Sequence, residues 1–204
     1  MDSYINVKKT LRWIHASNVL LVFLYGIPLF INSTFLSTFT GDKNVSIVFT
    51  LASIVAIGGL FAVLKLLPRI GNYKTTLYLL IAEMLTLSIL ALSGNIIWVI
   101  SAYIIHFVLT IIISFNIDIF IENYSKDNET GEIRGFMYSL ASVAWVILPL
   151  ITGLIIGSGD AYWKAYAVAF LFAIPFGIII ALALKDFKDP TYHKISFIKD
   201  LMNT

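Results

Sequence analysis

One run of side chains spaced four residues apart has types that can exchange protons or bind a polar solute. The run comprises His106, Thr110, Ser114, Asp118 and Glu122. Steps of four stay near one side of an α-helix and drift by about 40° per step. The surrounding residues are apolar, and polar groups in hydrocarbon are costly unless they face protein or water. The stripe therefore predicts a helix face that lines a water-accessible cavity, or Ser and Thr hydroxyls that only bond the preceding turn.

Glu83 is an acidic residue deep inside a neighbouring apolar run. Counted from Thr75 at ~1.5 Å per residue, it lies roughly 12 Å into that run. An ionised carboxylate at this depth is costly, so we expect it to be protonated, paired or wetted. His106, counted from Ile96, reaches a similar depth on the next run, and we expect the two side chains to face each other. The pair predicts either a proton relay or solute contact, or a packing hydrogen bond between scaffold helices.

Two further apolar runs carry polar or aromatic side chains that are candidates for the same cavity. The candidates are Asn18, Tyr25 and Asn32 in the first run, and Tyr138, Ser142 and Trp145 in the fifth. In contrast, residues 165–184 in the sixth run are almost all apolar, with small Ala and Gly residues. This composition predicts a scaffold or lipid-facing helix.

The composition identifies the elements that must hold these residues. The 204 residues are 59% hydrophobic and 13% charged, whereas a soluble domain is roughly a quarter charged. Six apolar runs have about the ~20 residues that span a bilayer as a helix. The sequence therefore predicts an all-α integral membrane protein, with a cytoplasmic and amphipathic linker over residues 189–204. The predicted helices cover residues 11–35, 45–64, 75–92, 96–122, 135–156 and 162–184.

The cations fall almost entirely on one side of the predicted spans. That side has Lys8, Lys9, Arg12, Lys65, Arg69, Lys74, Lys126, Arg134, Lys185, Lys188, Lys194 and Lys199. Only Lys43 and Lys164 fall on the other side. Because cytoplasmic loops are enriched in Lys and Arg, both termini are predicted to be cytoplasmic. The expected location is the plasma or inner cell membrane, with residues 65–74 forming a basic turn in water between two spans.

Several function classes lack the residues that they need. The chain has no Cys, so thiol chemistry and disulfides are excluded, and its three His residues have no ligand spacing. The segment Gly157-Ser158-Gly159-Asp160 resembles part of an intramembrane aspartyl protease. That chemistry requires two carboxylates that meet within the membrane, and the chain has no matching partner. We therefore expect no enzyme activity, metal or cofactor, and the small net charge of +2 gives no indication of a nucleic-acid partner.

The layout and several short motifs resemble the N-terminal half of a major facilitator superfamily transporter. Arg69 and Gly71 match the central Arg and Gly of that family's turn after helix two, whereas Pro68 replaces its Asp. Arg134, followed by Gly, opens helix five as the family's second cytoplasmic turn often does. A Pro-and-Gly segment beginning at Pro149 is similar to the family's segment in helix five. The resemblance covers nearly the whole chain.

This resemblance implies two inverted three-helix repeats and a secondary active transporter that works by alternating access. Helices one and four would line the cavity, and helices three and six would support them. It also implies a cytoplasmic gating turn in which Arg69 pairs with Asp118 or Glu122, beside Gly71 and Arg134. The partners would be the lipid bilayer, a small solute, a proton or sodium ion, and a missing six-helix half. The alternatives are a six-helix protein that homodimerises to form the path and a non-transporting membrane scaffold.

Overall fold

The computed structural model describes residues 2–125 and 130–192, with side chains from residue 9 and from residue 131 onward in the two ranges. Within these ranges every element of regular secondary structure is a helix, and short turns and an irregular segment after α7 make up the rest. The helices are α1 (Asp2–Leu29), α2 (Asn32–Thr40), α3 (Asp42–Ile70), α4 (Asn72–Leu92), α5 (Ile96–Tyr124), α6 (Thr130–Ile156) and α7 (Trp163–Ala183). Residues 193–204, where an amphipathic linker is predicted, lie outside the described residues.

Six segments of the described chain are long and apolar enough to cross a membrane. The first is formed by α1 and α2 together, over Lys9–Thr40, and each remaining helix supplies one more. The prediction of an all-α protein with six segments long and apolar enough to span a membrane is thereby confirmed.

Two connections are much shorter than predicted because single glycines make them. The sequence indicated a basic turn over residues 65–74, but α3 continues through Pro68 to Ile70 and α4 begins at Asn72. Gly71 alone reverses the chain, with φ of 82° and ψ of 160°, and Gly41 does the same between α2 and α3 at φ of 74° and ψ of 153°. This backbone region is essentially restricted to glycine. The predicted extent of the turn is therefore wrong, although its position is right.

The first span is broken, whereas the sequence predicted one helix over residues 11–35. Pro28 has no N–H to donate, which weakens the helix around it. The N–H of Ile31 then donates to the carbonyl of Pro28 (3.0 Å) in a tighter turn, and α2 starts at Asn32. The break lies toward the end of the span that is opposite the basic connections.

The predicted hydrophilic loop over residues 123–134 is also shorter in the structure. Helix α5 runs on to Tyr124 and α6 already begins at Thr130. Polar residues mark where a helix leaves hydrocarbon, but its backbone hydrogen bonds can continue into water. Hydropathy therefore predicted where the chain leaves the membrane in this region, but it did not predict where the helices end.

Helix packing places α1, α4, α5 and α7 in the centre of the bundle. Helix α7 packs against α1 and α4, α4 packs against α5, α3 packs against α5, and α6 packs against α1. Small residues permit close approach between helices: Gly59 of α3 lies against Val108 of α5, and Gly177 of α7 lies against Leu80 of α4. Helices α3 and α6 are the most exposed spans, so their free faces meet lipid or another protein.

Candidate functional site

The centre of the candidate site is an ionisable pair between α4 and α5. His106 Nδ1 lies 2.6 Å from Glu83 Oε1, and the two residues are 3% and 0% exposed. The hydroxyl of Thr86 donates to the backbone carbonyl of Glu83 (2.8 Å) and approaches its Oε2 (3.3 Å). The expectation that Glu83 and His106 face each other is confirmed.

Local sequence explains why both side chains point inward. On α4, Leu80, Glu83 and Leu87 are buried at helical spacing, and this face packs on α5. On α5, Ala102, Tyr103 and His106 form the matching buried face. A carboxylate and an imidazole at this distance share a hydrogen bond. The pair is neutral overall when the two groups together hold one proton more than an ionised carboxylate and a neutral imidazole. A neutral pair is far less costly in hydrocarbon than an isolated charge.

Two buried tyrosines lie beside the pair. One of them also forms a hydrogen bond with a residue at the break in the first span. The rings of Tyr103 and Tyr166 lie 6.5 and 6.3 Å from the ring of His106. Tyr166 of α7 donates its hydroxyl to Asn32 Oδ1 (2.8 Å), at the first residue of α2. The structure therefore brings together Asn32, Glu83 and His106, which the sequence had singled out in three different spans.

The sequence analysis missed Tyr103, Tyr166 and Thr86. It interpreted the sixth run as an apolar scaffold helix, and indeed most of α7 packs through small residues such as Ala169 and Ala173. The available signal was Tyr166 itself, because it is the one side chain with a polar tip among residues 165–184. Such a hydroxyl needs a partner when it is buried.

The break in the first span is held by a side chain from α6. Because Ile31 donates to Pro28, the carbonyl of Ile27 loses its usual helical donor, and it accepts instead from the Thr152 hydroxyl (3.2 Å). Thr152 is 2% exposed. We expect Thr152→Val to lower the free energy of unfolding by about 1–3 kcal/mol, because it leaves a buried carbonyl unpaired. Denaturant titration in detergent micelles measures this change.

Thr110→Val is the matched control for that experiment. The Thr110 hydroxyl donates to Phe107 O (2.9 Å) within its own helix, where the carbonyl retains its backbone donor. We expect a change of at most about 0.5 kcal/mol, as for substitutions that leave no group unsatisfied. Equal losses for the two variants would contradict the role assigned to Thr152.

The remaining cavity candidates are satisfied locally or lie on the surface of the bundle. The hydroxyls of Thr110, Ser114 and Ser142 each donate to a carbonyl of their own helix, at 2.9, 2.9 and 2.7 Å. This is the alternative that the sequence left open for Ser and Thr. Tyr138 is 65% exposed and Ser142 is exposed, so both lie on the outer surface of α6.

A second group of candidates lies on half-buried surface. The rings of Tyr25 in α1 and Trp145 in α6 have centroids 5.7 Å apart, and Asn18 is half-buried in α1. Tyr25 and Trp145 therefore form one aromatic patch between α1 and α6. This patch is separate from the buried pair, because the ring contacts of Tyr25 and Trp145 among the described residues are with each other and with Phe30.

The predicted gating contacts are formed with different partners. Glu122 Oε2 accepts from Arg134 Nη2 (3.3 Å), and Asp118 lies within electrostatic range of both charges. In the part of the chain that is described, no ion pair joins Arg69 to Asp118 or Glu122, so the pairing implied for Arg69 is not formed. Both partners of the Glu122–Arg134 pair are solvent-exposed, and such pairs contribute only about 0–1 kcal/mol.

The segment after α7 supplies the acid that lies at the turn. Asp189 Oδ1 accepts from the backbone N–H of Asn72 (2.6 Å) and from the Tyr192 hydroxyl (2.5 Å). A carboxylate at the start of α4 is favoured by the free N–H groups and the helix dipole there. The side-chain amide of Asn72 also donates to the backbone carbonyl of Asn116 (2.9 Å) on α5. Sequence reasoning had placed residue 189 in a linker, and nothing local indicates this distant contact.

The ionisation of Tyr192 gives a pH-dependent test of this contact. Burial, and then the hydrogen bond and charge of Asp189, raise the pKa of Tyr192 above its usual value. A raised folded pKa means that the associated stability is present below pH about 10, the unfolded value, and is lost as pH rises through the folded pKa. We expect Tyr192→Phe to remove a late-titrating phenolate from the ultraviolet absorbance curve.

Asp189→Asn is the control for the titration, since it removes the charge but retains a hydrogen-bond acceptor. The Tyr192 signal should then move to lower pH. If Tyr192→Phe instead removed a phenolate that titrates with the bulk of the tyrosines, the contact with Asp189 would be absent in solution.

The described chain is an α-helical bundle with six segments long and apolar enough to span a membrane, and it has an ionisable pair buried between two central helices. Comparison of the chain with models of protein families, with curated proteins and with solved structures finds no match. The function must therefore be argued from the chain's own geometry.

Proposed function

We propose that this chain is one six-helix half of a secondary active transporter that moves a small solute by alternating access. The observation that carries the proposal is a symmetry in the helix packing. When the first three spans are exchanged with the last three, the same pairs of helices remain in contact. Internal repeats of this kind are a common construction of secondary transporters.

The correspondence can be followed helix by helix, with α1 and α2 counted as one span. The contact of α1 with α7 corresponds to that of α5 with α4, and these are the most extensive in the bundle together with α4 against α7. The contact of α3 with α5 corresponds to that of α6 with α1. The contacts of α4 with α7 and of α1 with α5 map onto themselves. Because each unit has an odd number of spans, the second unit has inverted topology, as in the major facilitator superfamily that the sequence resembles.

The distribution of charge supports an orientation for this bundle. The start of the first span, the connection at Gly71, the connection between α5 and α6 and the segment after α7 together have twelve of the fourteen cations, whereas Lys43 and Lys164 lie at the opposite ends of their spans. Under the positive-inside rule, both termini are cytoplasmic and the protein resides in the plasma or inner cell membrane. The basic end with Arg69, Glu122 and Arg134 is then the cytoplasmic face.

The solute path lies on the surface formed by α1, α3, α5 and α6. Half-buried Asn18, Tyr25, Thr110 and Ser114 supply its polar groups. The exposed faces of α3 and α6 flank it, and a second six-helix bundle completes it, either the remainder of a twelve-helix protein or another copy of this chain. The coupling ion is a proton or sodium.

A non-transporting scaffold is the second candidate function. It is favoured by the Ser and Thr hydroxyls that bond only within their own helices, because such residues need no water-filled surroundings. It differs from the transporter in one measurable respect, since a scaffold has lipid rather than water against α6.

Single cysteines distinguish these functions, because the natural chain contains none. We expect Tyr138→Cys and Ser142→Cys on α6 to react with a water-soluble, membrane-impermeant maleimide in sealed vesicles. Leu171→Cys and Ile178→Cys on α7 are equally exposed controls, where Leu171 is 60% and Ile178 is 52% exposed. These controls face lipid and should not react.

The labelling is performed on the 204-residue chain and on a form extended through the downstream reading frame. Reaction at the α6 positions only in the extended form means that the second bundle is encoded downstream. Reaction in both forms means that a second copy completes the path. If the α6 positions are as unreactive as the α7 controls in both forms, the transporter proposal is wrong and the scaffold remains.

A further inference from the structure

We propose that the Glu83–His106 pair is the proton-binding site that couples this protein to a proton gradient. The inference deepens the proposed function and rests on it, since it names the coupling ion and the residues that hold it. Glu83 is the proton acceptor and His106 is its partner. Neither the sequence resemblance nor the packing symmetry selects the proton over sodium.

The pair lies deep within the two helices that carry it. Glu83 lies eleven residues after the start of α4 and nine before its end, which corresponds to roughly 16 and 14 Å along the helix axis. His106 lies ten residues after the start of α5, roughly 15 Å from the end of the helix that is joined to α4. Coupling-ion sites in secondary transporters lie near the bilayer midplane, where access can alternate between the two sides.

The charge balance around the pair depends on whether the pair holds a proton. The groups that face it from the packed helices are Thr86 on α4, Tyr103 on α5 and Tyr166 on α7, with Asn32 of α2 behind Tyr166. Among the described residues, no Lys, Arg or second carboxylate is paired with Glu83 or His106. With one proton the pair is neutral and stable in the closed bundle. Without that proton it has one uncompensated negative charge, which requires water.

This difference couples protonation to conformation. The closed bundle, in which Glu83 is 0% exposed, strongly favours the form that holds the proton. A conformation that admits water to the pair favours release of the proton, because water solvates the carboxylate. An ion that binds one state more tightly than the other shifts the equilibrium between them, which is the requirement for coupled transport.

Packing alone does not require an ionisable pair between α4 and α5. The same bundle joins α7 to α2 with two neutral groups, the hydroxyl of Tyr166 and the amide of Asn32. Replacing a buried ionic pair by apolar residues is often neutral or stabilising. The hydroxyl of Tyr103, one helical turn before His106, is buried without a hydrogen-bond partner among the described residues, so the cluster has a free polar group beside its proton carrier.

Proton binding is tested first without any solute. Infrared spectra of the carboxyl groups and ¹⁵N spectra of the imidazoles are recorded on the full chain in lipid nanodiscs over the whole pH range in which the chain stays folded. Glu83→Gln and His106→Asn identify the signals of the pair by difference. We expect one proton to leave the pair in a single step that is lost in Glu83→Gln and retained in Glu132→Gln, an exposed acid. A pair that holds its proton until the chain unfolds overturns the proposal.

Coupling is tested by the rate at which Ser142→Cys reacts with maleimide. The rate is corrected for the thiol's own ionisation by measurement on the unfolded chain. We expect the corrected rate to change with pH, and this dependence to be lost when Glu83→Gln is added but retained with Glu132→Gln. A dependence that survives Glu83→Gln assigns the coupling to another group and overturns the inference. If Ser142→Cys reacts at a rate that does not depend on pH, the inference about the pair is wrong but the proposed transporter is not. If Ser142→Cys does not react at all, the proposed function itself is wrong.

Discussion

Replacing His106 by alanine is expected to lower the free energy of unfolding by about 3–5 kcal/mol, as for other buried ion pairs that lose one partner. The Glu83 carboxyl would remain fully enclosed and would lose the nitrogen that now lies 2.6 Å away. It must then become protonated, draw water into the bundle or separate α4 from α5. Unfolding by sodium dodecyl sulfate in mixed micelles, followed by circular dichroism, measures the loss.

Two further variants separate the unpaired acid from simple loss of the ring. The double variant Glu83→Met with His106→Leu removes both polar groups, and we expect it to recover most of the stability. His15→Ala also removes an imidazole, but His15 is half-buried and its ring contact is with Phe136 (5.4 Å). We expect His15→Ala to lower the free energy of unfolding much less than His106→Ala does. If the double variant were as unstable as His106→Ala, the loss would come from packing volume.

Gly71→Ala has the second large expected effect. At φ of 82° and ψ of 160°, a residue with a side chain costs about 1–3 kcal/mol in backbone strain alone. Its Cβ would also collide with the carboxylate of Asp189. Displacing that carboxylate removes the charged hydrogen bond to Asn72, and such bonds contribute about 1.5–3 kcal/mol. The same unfolding titration measures the combined loss.

Gly41→Ala is the matched control, because Gly41 has nearly the same backbone angles, at 74° and 153°, and open space at its Cβ. It isolates the backbone contribution, so Gly71→Ala should be the more destabilising of the two. Gly58→Ala, inside α3 with nothing near its Cβ, should be neutral or stabilising, since alanine is the better helix former. Equal losses at Gly41 and Gly71 would mean that Asp189 contributes nothing to the turn.

The contact between Glu83 and His106 was predictable because depth in a membrane follows from counting residues. Each helix rises by a fixed ~1.5 Å per residue, and the two helices are joined by a short turn. Two polar groups at equal depth on neighbouring helices both gain by avoiding lipid, so sequence alone predicted the meeting. The number of spans was predictable for a similar reason, because the bilayer sets the minimum length of an apolar run.

The boundaries between helices were less predictable, since hydropathy reports the solvent and not the backbone hydrogen bonds. Residues near Pro68 and Asn123 are polar enough to lie in water, and the sequence therefore predicted long turns there. Helices α3 and α5 nevertheless continue beyond these points. The break before Asn32 was missed because proline is tolerated in membrane helices when neighbouring groups satisfy the freed backbone, here through Thr152.

The sequence by itself determined the six spans, the asymmetric distribution of charge and the depths of the polar residues, because each depends on local composition. Tertiary structure decided which polar group meets which: Asp189 with Asn72, Tyr166 with Asn32, and Arg134 rather than Arg69 with Glu122. The first two contacts join residues more than a hundred positions apart. Their formation depends on how the helices pack, and the spacing of residues along the chain does not encode that packing locally.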